Sequence, residues 1–250
     1  MRIYLIGCMP EGKNSDLEER IMKILLAAVN AKYIHSNLAV YSLKAYAEDP
    51  AVEIGEYTIN QQKDDILMDI YKRQPDILCL SCYIWNLDYI EEIVLEIGKL
   101  RPDMPIWLGG PEVSYHAEEM LEQYPFLDGI MKGEGEITFR ELAVYYQNQE
   151  NGTEGKTLEE IHGITYRDAE GAIKSNPWRP VMDLSEVDFP YANLKKFENR
   201  IIYYESSRGC PFSCSYCLSS IDKRLRFRNL DLVKNCLLYT SPSPRDKRQS

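Results

Sequence analysis

Three cysteines, Cys210, Cys214 and Cys217, fall within eight residues of the stretch SSRGCPFSCSYCLSS, in a chain of 250 residues that has only seven cysteines in all. Gly209 and Pro211 flank the first of them and break regular structure, so the spacing CxxxCxxC sits on a loop. Thiolates on so short a loop can converge on one soft-metal centre. Structural zinc usually takes a fourth thiolate or imidazole. The three histidines, His35, His116 and His162, are distant in sequence, and Cys236 stands nineteen residues on. A four-iron cubane held by three cysteines leaves one iron without a protein ligand, open to another molecule. Three thiolates therefore suit a cluster that must bind something else, with structural zinc and a ferredoxin-like electron carrier as the alternatives.

The elements that position this loop come before it. Five short apolar runs predict strands at residues 23–29 (KILLAAV), 52–59, 76–83 (DILCLSCY), 105–110 (PIWLGG) and 129–133 (GIMKG). Between them lie helical patterns at 37–47, 64–72, 87–100, 117–123 and 137–147. In the third, Ile90, Ile93, Val94, Ile97 and Leu100 recur at three- and four-residue spacing and define a face to pack on a sheet. Strands alternating with helices imply a five-stranded parallel, doubly wound α/β domain over residues 22–148, with ligands beyond the carboxyl ends of the strands. The loops on that edge are NAKYIHSN, SCYIWN, GGPEVS and GEGE, polar or glycine-bearing. Paired glycines let backbone approach a ligand closely, so the edge reads as a binding surface. The loop after the first run has no GxGxxG, which excludes a dehydrogenase fingerprint.

Residues 149–199 read as a linker containing a small hairpin whose turn is DAEG. A new apolar run at 200–207, RIIYYESS, predicts a strand leading into the cysteine loop. The formal charge of −10, from 29 basic and 39 acidic residues, argues against a phosphate-backbone partner. Cys79 and Cys82 lie in a core-like run, so a secreted disulfide framework is not expected and a reducing cytoplasm fits. No run reaches the roughly 18 apolar residues of a membrane span, and the LIGC ending at Cys8 follows too short an apolar stretch for a signal sequence.

CPFSCSYC, with an aromatic just before the third cysteine, resembles the cluster motif of the radical S-adenosylmethionine (SAM) enzymes. An α/β domain ahead of it, with LSCYIWN, LGGPEVS and GEGEITFREL, is similar to the cobalamin-dependent class of that family, in an uncharacterised bacterial branch. The resemblance implies a [4Fe-4S] cluster on Cys210, Cys214 and Cys217, SAM on the open iron with Tyr216 near its adenine, and residues 200–236 as the start of a partial (β/α) barrel. It implies cobalamin with its tail along Ser81, Gly109, Gly110, Gly133 and Glu134. Reductive SAM cleavage, then methyl transfer or radical rearrangement at an unactivated carbon, is the implied chemistry, with an unknown small-molecule substrate and a reductant such as flavodoxin or ferredoxin. Neither nucleic acid nor membrane is implied as a partner. Many cobalamin domains carry DxHxxG after the first strand; here that loop is NAKYIHSN, so His35 is expected at a helix start or groove and off the cobalt. The alternative is a non-catalytic cobalamin-binding module whose cysteines hold a structural metal.

The ends carry their own expectation. MKILLAAVNAKYIHSN at Met22 looks like a start, which makes residues 1–21 a possible upstream extension. The periodic pattern stops near Asn235, and CLLYTSPSPRDKRQS resembles translated adapter sequence, so residues 237–250 are expected to be a disordered, foreign tail on a truncated, inactive enzyme.

Overall fold

The computed structural model describes residues 20–240, apart from the side chain of Ser220. Five βα units follow one another: β1 (Ile24–Asn30), α1 (Leu38–Ala47), β2 (Val52–Thr58), α2 (Lys63–Arg73), β3 (Ile77–Ser81), α3 (Leu87–Leu100), β4 (Ile106–Gly109), α4 (Ala117–Gln123), β5 (Gly129–Met131) and α5 (Glu136–Asn151). All five strands are parallel, in the order β2-β1-β3-β4-β5. The expected doubly wound domain is present, with each element displaced from its sequence reading by at most a few residues.

Burial on both faces explains the composition of the strands. Every residue of β1, ILLAAVN, is buried, as a central parallel strand requires. Alternate residues feed two cores. Leu25, Ala27, Val29, Leu78 and Leu80 pack under α2, α3 and α4, whereas Leu26, Ala28, Cys79, Trp107 and Met131 pack under α1 and α5. On α3, Ile90, Ile93, Val94 and Ile97 are buried as expected, but Leu100 is 55% exposed. At about 100° per residue Leu100 lies about 80° round from Ile90, at the margin of the stripe, and it ends the helix.

Three expectations are corrected. The hairpin of residues 149–199 is no free linker feature: β6 (Ile164–Arg167) and β7 (Ile173–Ser175) join antiparallel beyond β5 and make the sheet seven-stranded. Thr165 Oγ1 and Ser175 Oγ share a hydrogen bond of 3.0 Å, and Lys132 Nζ at the end of β5 donates to Ser175 Oγ and the Asn176 carbonyl, which pins the hairpin down. The run at 200–207 forms no barrel strand. Up to Ser206 it makes one isolated bridge, His35 to Ile201, parallel and a single residue long, in which Ile201 N donates to the Ile34 carbonyl and Ser36 N to the Ile201 carbonyl. The chain pairs only at β8 (Ser207–Arg208) with β9 (Arg226–Phe227), antiparallel and two residues each. Finally, the helical pattern does not stop at Asn235: α6 (Leu230–Thr240) continues through Leu237, Leu238 and Tyr239 with those side chains exposed, and Tyr239 sets its ring edge-on to Phe189 at 6.0 Å. Expectations for residues 1–19 and 241–250 lie outside the described residues. No described helix is long and apolar enough to cross a membrane.

Candidate functional site

At the carboxyl ends of β3, β4 and β5 a cleft of about 580 Å³ opens between the sheet and the α1/α5 layer. Its floor is made by Leu26, Cys79 and Met131, which alternate onto that face of the sheet, and one wall by Leu38, Ser42 and Leu43 of α1. The volume lies within the range of small-molecule and cofactor sites, and such a crevice is where open α/β sheets bind ligands. Ser81, Gly109, Gly110, Gly133 and Glu134, all predicted from sequence, line it.

Local chemistry explains each position. Ser81 ends β3, 9% exposed, with its Oγ 3.4 Å from Asn37 Nδ2, while Asn37 Oδ1 caps α1 by accepting from Val40 N. Gly110 follows β4 with φ +118°, and a Cβ there would stand 2.3 Å from the Cys82 carbonyl oxygen, so only glycine allows this turn. At Gly109 a Cβ would make ordinary contact with Met131, its register partner on the cleft face, and that side of the strand is left open for a ligand. The sequence reading missed Ser114, the last residue of GGPEVS. Its Oγ donates to the Gly110 carbonyl at 2.7 Å and accepts from Gly133 N at 3.2 Å, which ties the β4 and β5 loops into one rim. Small residues over an apolar floor, rimmed by hydroxyls and backbone amides, suit an elongated ligand that needs close backbone approach and a few hydrogen-bond partners.

Among the described residues no histidine lines the cleft. His35 is turned to the chain that follows the linker: its Nδ1 lies 2.6 Å from the Tyr203 hydroxyl and its carbonyl accepts from Asn30 and Arg200. Burial pushes the Cys79 thiol up to about 12 and that of Cys82 higher still, so both are protonated core residues at neutral pH. Tyr83, which lines the cleft, stacks with Trp85 at 4.4 Å in the loop after β3, and Ile84 between them is 80% exposed.

The residues on either side of the three cysteines reach the same cleft, although the cysteines themselves do not line it. Ser207, Arg208, Gly209, Leu218 and Arg226 line it from the far side. Cys214, Tyr216 and Cys217 surround a neighbouring hollow of about 410 Å³ that shares Leu218 with the cleft. Tyr216 is 91% exposed and does not line the cleft itself. Among the described residues no three His, Cys, Asp or Glu side chains are gathered as a metal-holding group, so Cys210, Cys214 and Cys217 supply the right donors on a loop that must close around a metal to use them.

Ion pairs join loop and cleft. Arg208 donates to both carboxylate oxygens of Glu136, at 2.5 and 3.3 Å, and Arg226 does the same to Glu134. Burial opposes the charge of Arg208, but the Glu136 and Glu205 carboxylates outweigh it and hold the guanidinium above its ordinary value. Glu134, predicted to contact cofactor, thus lines the cleft with its carboxylate committed to Arg226 and to Met182 N. The sequence sign of this contact was the alternation of acid in GEGE and of base in KRLRFR.

The B12 binding domain family matches residues 24–143. The chain is 28% identical over 192 residues to a 2-(S-pantetheinyl)-carbapenam-3-carboxylate methyltransferase of Streptantibioticus cattleyicolor, covering 70% of this chain and 27% of the relative. It is 26% identical over 225 residues to the cobalamin-dependent radical SAM methyltransferase TokK of Streptomyces tokunonensis, covering 82% and 31%. The cobalamin-dependent SAM radical enzyme OxsB, solved with aqua-cobalamin and SAM bound, superposes with a TM-score of 0.68 over 86% of this chain and 31% of its own, at 24% identity, which establishes the shared fold. The chain spans less than a third of the length of these curated relatives.

Proposed function

We propose, from the premise that the chain carries a B12-binding domain and is a relative of the cobalamin-dependent radical SAM proteins, that the cleft at β3–β5 holds a corrinoid and that Cys210, Cys214 and Cys217 hold an iron–sulfur cluster beside it. The observation that carries the reading is that Gly209 and Leu218, which bracket the three cysteines, line the cleft that opens within the region the family match covers, with Cys214 and Cys217 on the adjoining hollow. Ser81, Gly109, Gly110 and Gly133 would receive the corrinoid tail, and the floor of Leu26, Cys79 and Met131 would exclude water from it. Bound there, the corrinoid would supply a methyl group, and the cluster with SAM would supply one-electron cleavage chemistry, the difficult steps being the cofactors' own. The protein's task is to hold two reactive centres at a fixed separation. Methyl transfer to an unactivated carbon of a small molecule is the reaction class this pairing serves, with a small electron carrier as reductant.

The test is anaerobic reconstitution of the chain with iron, sulfide and hydroxocobalamin, followed by gel filtration. Iron, sulfide and cobalamin should all co-elute with the protein, and replacing the three cysteines by Ala should remove the iron and sulfide while leaving the cobalamin. Retention of zinc in place of iron would convert the reading into a corrinoid-binding module with a structural metal. Failure to retain cobalamin would refute the assignment of the cleft.

A further inference from the structure

We infer that Arg208 and Arg226 are positioning residues that make the cysteine-bearing hairpin a movable wall of the corrinoid cleft, so that filling the cleft and setting the cysteine loop are one coupled equilibrium. This rests on the corrinoid reading of the cleft and goes beyond it.

The argument begins with the hairpin itself. β8 and β9 are two residues long, and Arg208 and Arg226 are register partners. Directly opposed like charges destabilise a strand pair, and so short a ribbon has no independent stability in water. The carboxylates supplied by the cleft loop remove that repulsion. Arg208 takes Glu136 and Arg226 takes Glu134, each with two parallel N–H···O contacts, and Glu134 also stands 3.6 Å from Arg208. Glu205 at 2.7 Å and Asp222 at 3.0 Å complete the set from the hairpin's own side. All six residues line the cleft.

Burial makes this arrangement more than a surface pairing. The side chain of Arg208 is 17% exposed and that of Glu136 5%. Exposed ion pairs hold geometry weakly, but mostly buried bidentate pairs fix both distance and orientation. The same contact reaches in two directions. Glu134 stands in the loop and Glu136 opens α5, both just after Gly133, whose N is bound to Ser114, and Ser114 is bound to Gly110, so their position follows the rim that receives the ligand. On the other side Arg208 precedes Gly209 and Cys210, and Cys210 N donates to the Asp222 carbonyl at 2.9 Å, so the first cysteine moves with the arginines. A ligand that displaces the rim therefore biases the cysteine loop, and the reverse follows by linkage.

The experiment uses the whole 250-residue chain with hydroxocobalamin as the probe. Two quantities are read: the dissociation constant by absorbance titration, and hydrogen exchange over residues 206–228 with and without the probe. In the unaltered chain the probe should slow exchange over 206–228 by about 5-fold or more, the lower end of typical coupling between sites. Arg226→Gln and Glu134→Gln should each cut that slowing to below about 2-fold and weaken binding by about 5- to 20-fold. The double variant should lose less than the product of the two single losses, because the contact between Arg226 and Glu134 is already gone in either one. Arg226→Lys, which keeps the charge and loses the fork, should fall between. Unchanged affinity and unchanged slowing in these variants would overturn the inference while the corrinoid reading stands. So would binding by the unaltered chain with no change in exchange over 206–228. Absence of binding by the unaltered chain would overturn both.

Discussion

Gly109 and His35 divide the site into a position that must stay empty and one that is occupied elsewhere. A side chain at Gly109 meets no backbone obstacle and projects onto the cleft face beside Met131. Gly109→Leu should therefore fold with near-normal stability and fill the space a corrinoid tail needs, weakening hydroxocobalamin binding by at least about tenfold, or about 1.4 kcal/mol. A titration in parallel with a thermal melt separates that outcome from misfolding. His35 is engaged with Tyr203 and lies off the cleft lining, so His35→Ala should leave the absorption spectrum of bound cobalamin unchanged. A change in that spectrum would place the imidazole near cobalt and contradict the geometry described here.

Among the elements, the segment linking the sheet to the cysteine loop is held by a polar knot on β2. Glu56 accepts from Asn30 Nδ2, Asn37 N, the Tyr41 hydroxyl and Arg200 Nη1, the last at 2.6 Å. Tyr191 and Phe197 of the same segment pack on Tyr41 at 5.3 and 5.1 Å. Burial alone would raise the Glu56 carboxyl, but the bonds from Arg200, Tyr41 and Asn37 prevail and hold it below its ordinary value. A carboxyl depressed in the folded state stabilises fully above the unfolded value, about 4.3, and its contribution fades as pH falls through the lower folded value. Glu56→Gln should thus lose about 3 kcal/mol at pH 7, since it leaves Arg200 half-buried and unpaired. Below about pH 4.3 its stability should fall less steeply than that of the parent chain. Urea denaturation across pH 3–7 measures both, and parallel curves would exclude Glu56 as the acid-sensitive group.

The whole molecule joins a seven-stranded sheet to a cysteine-bearing hairpin held against it by the ion pairs of Arg208 and Arg226. A ligand that binds the folded chain and not the unfolded one should stabilise it by about 2.7 kcal/mol at a hundredfold excess over its dissociation constant. For a chain of this size that corresponds to a rise in Tm of roughly 5–11 °C. Differential scanning fluorimetry with hydroxocobalamin should show it, and Gly109→Leu should cut the shift to about half or less at the same concentration. An unshifted melting temperature in saturating hydroxocobalamin would count against ligand binding in the folded cleft.

The alternation of buried strand and amphipathic helix was legible over residues 22–148, because a parallel strand buried on both faces reads as a short continuous apolar run and a helix packed on it as a 3.6-residue period, both local properties of the chain. The edge that bears Ser81, Gly109, Gly110 and Gly133 was legible for a related reason, since in a doubly wound sheet the ligand edge is fixed once strand direction is known, whereas a cofactor role for these four residues was implied by the resemblance alone. The cysteine spacing was likewise plain, though spacing alone does not gather three thiols. Sequence could not place β6 and β7, since a hairpin turn reads the same whether its arms hang free or extend a sheet, and only the exposed edge of β5 decides. It could not assign the run at 200–207 either, because a strand exists only by virtue of a neighbour to pair with. Least legible was the clamp of Arg208 and Arg226 on Glu136 and Glu134, pairs separated by 72 and 92 residues. Charge is visible in a sequence, but the desolvation and register that make a charge select one partner arise only when the chain has folded.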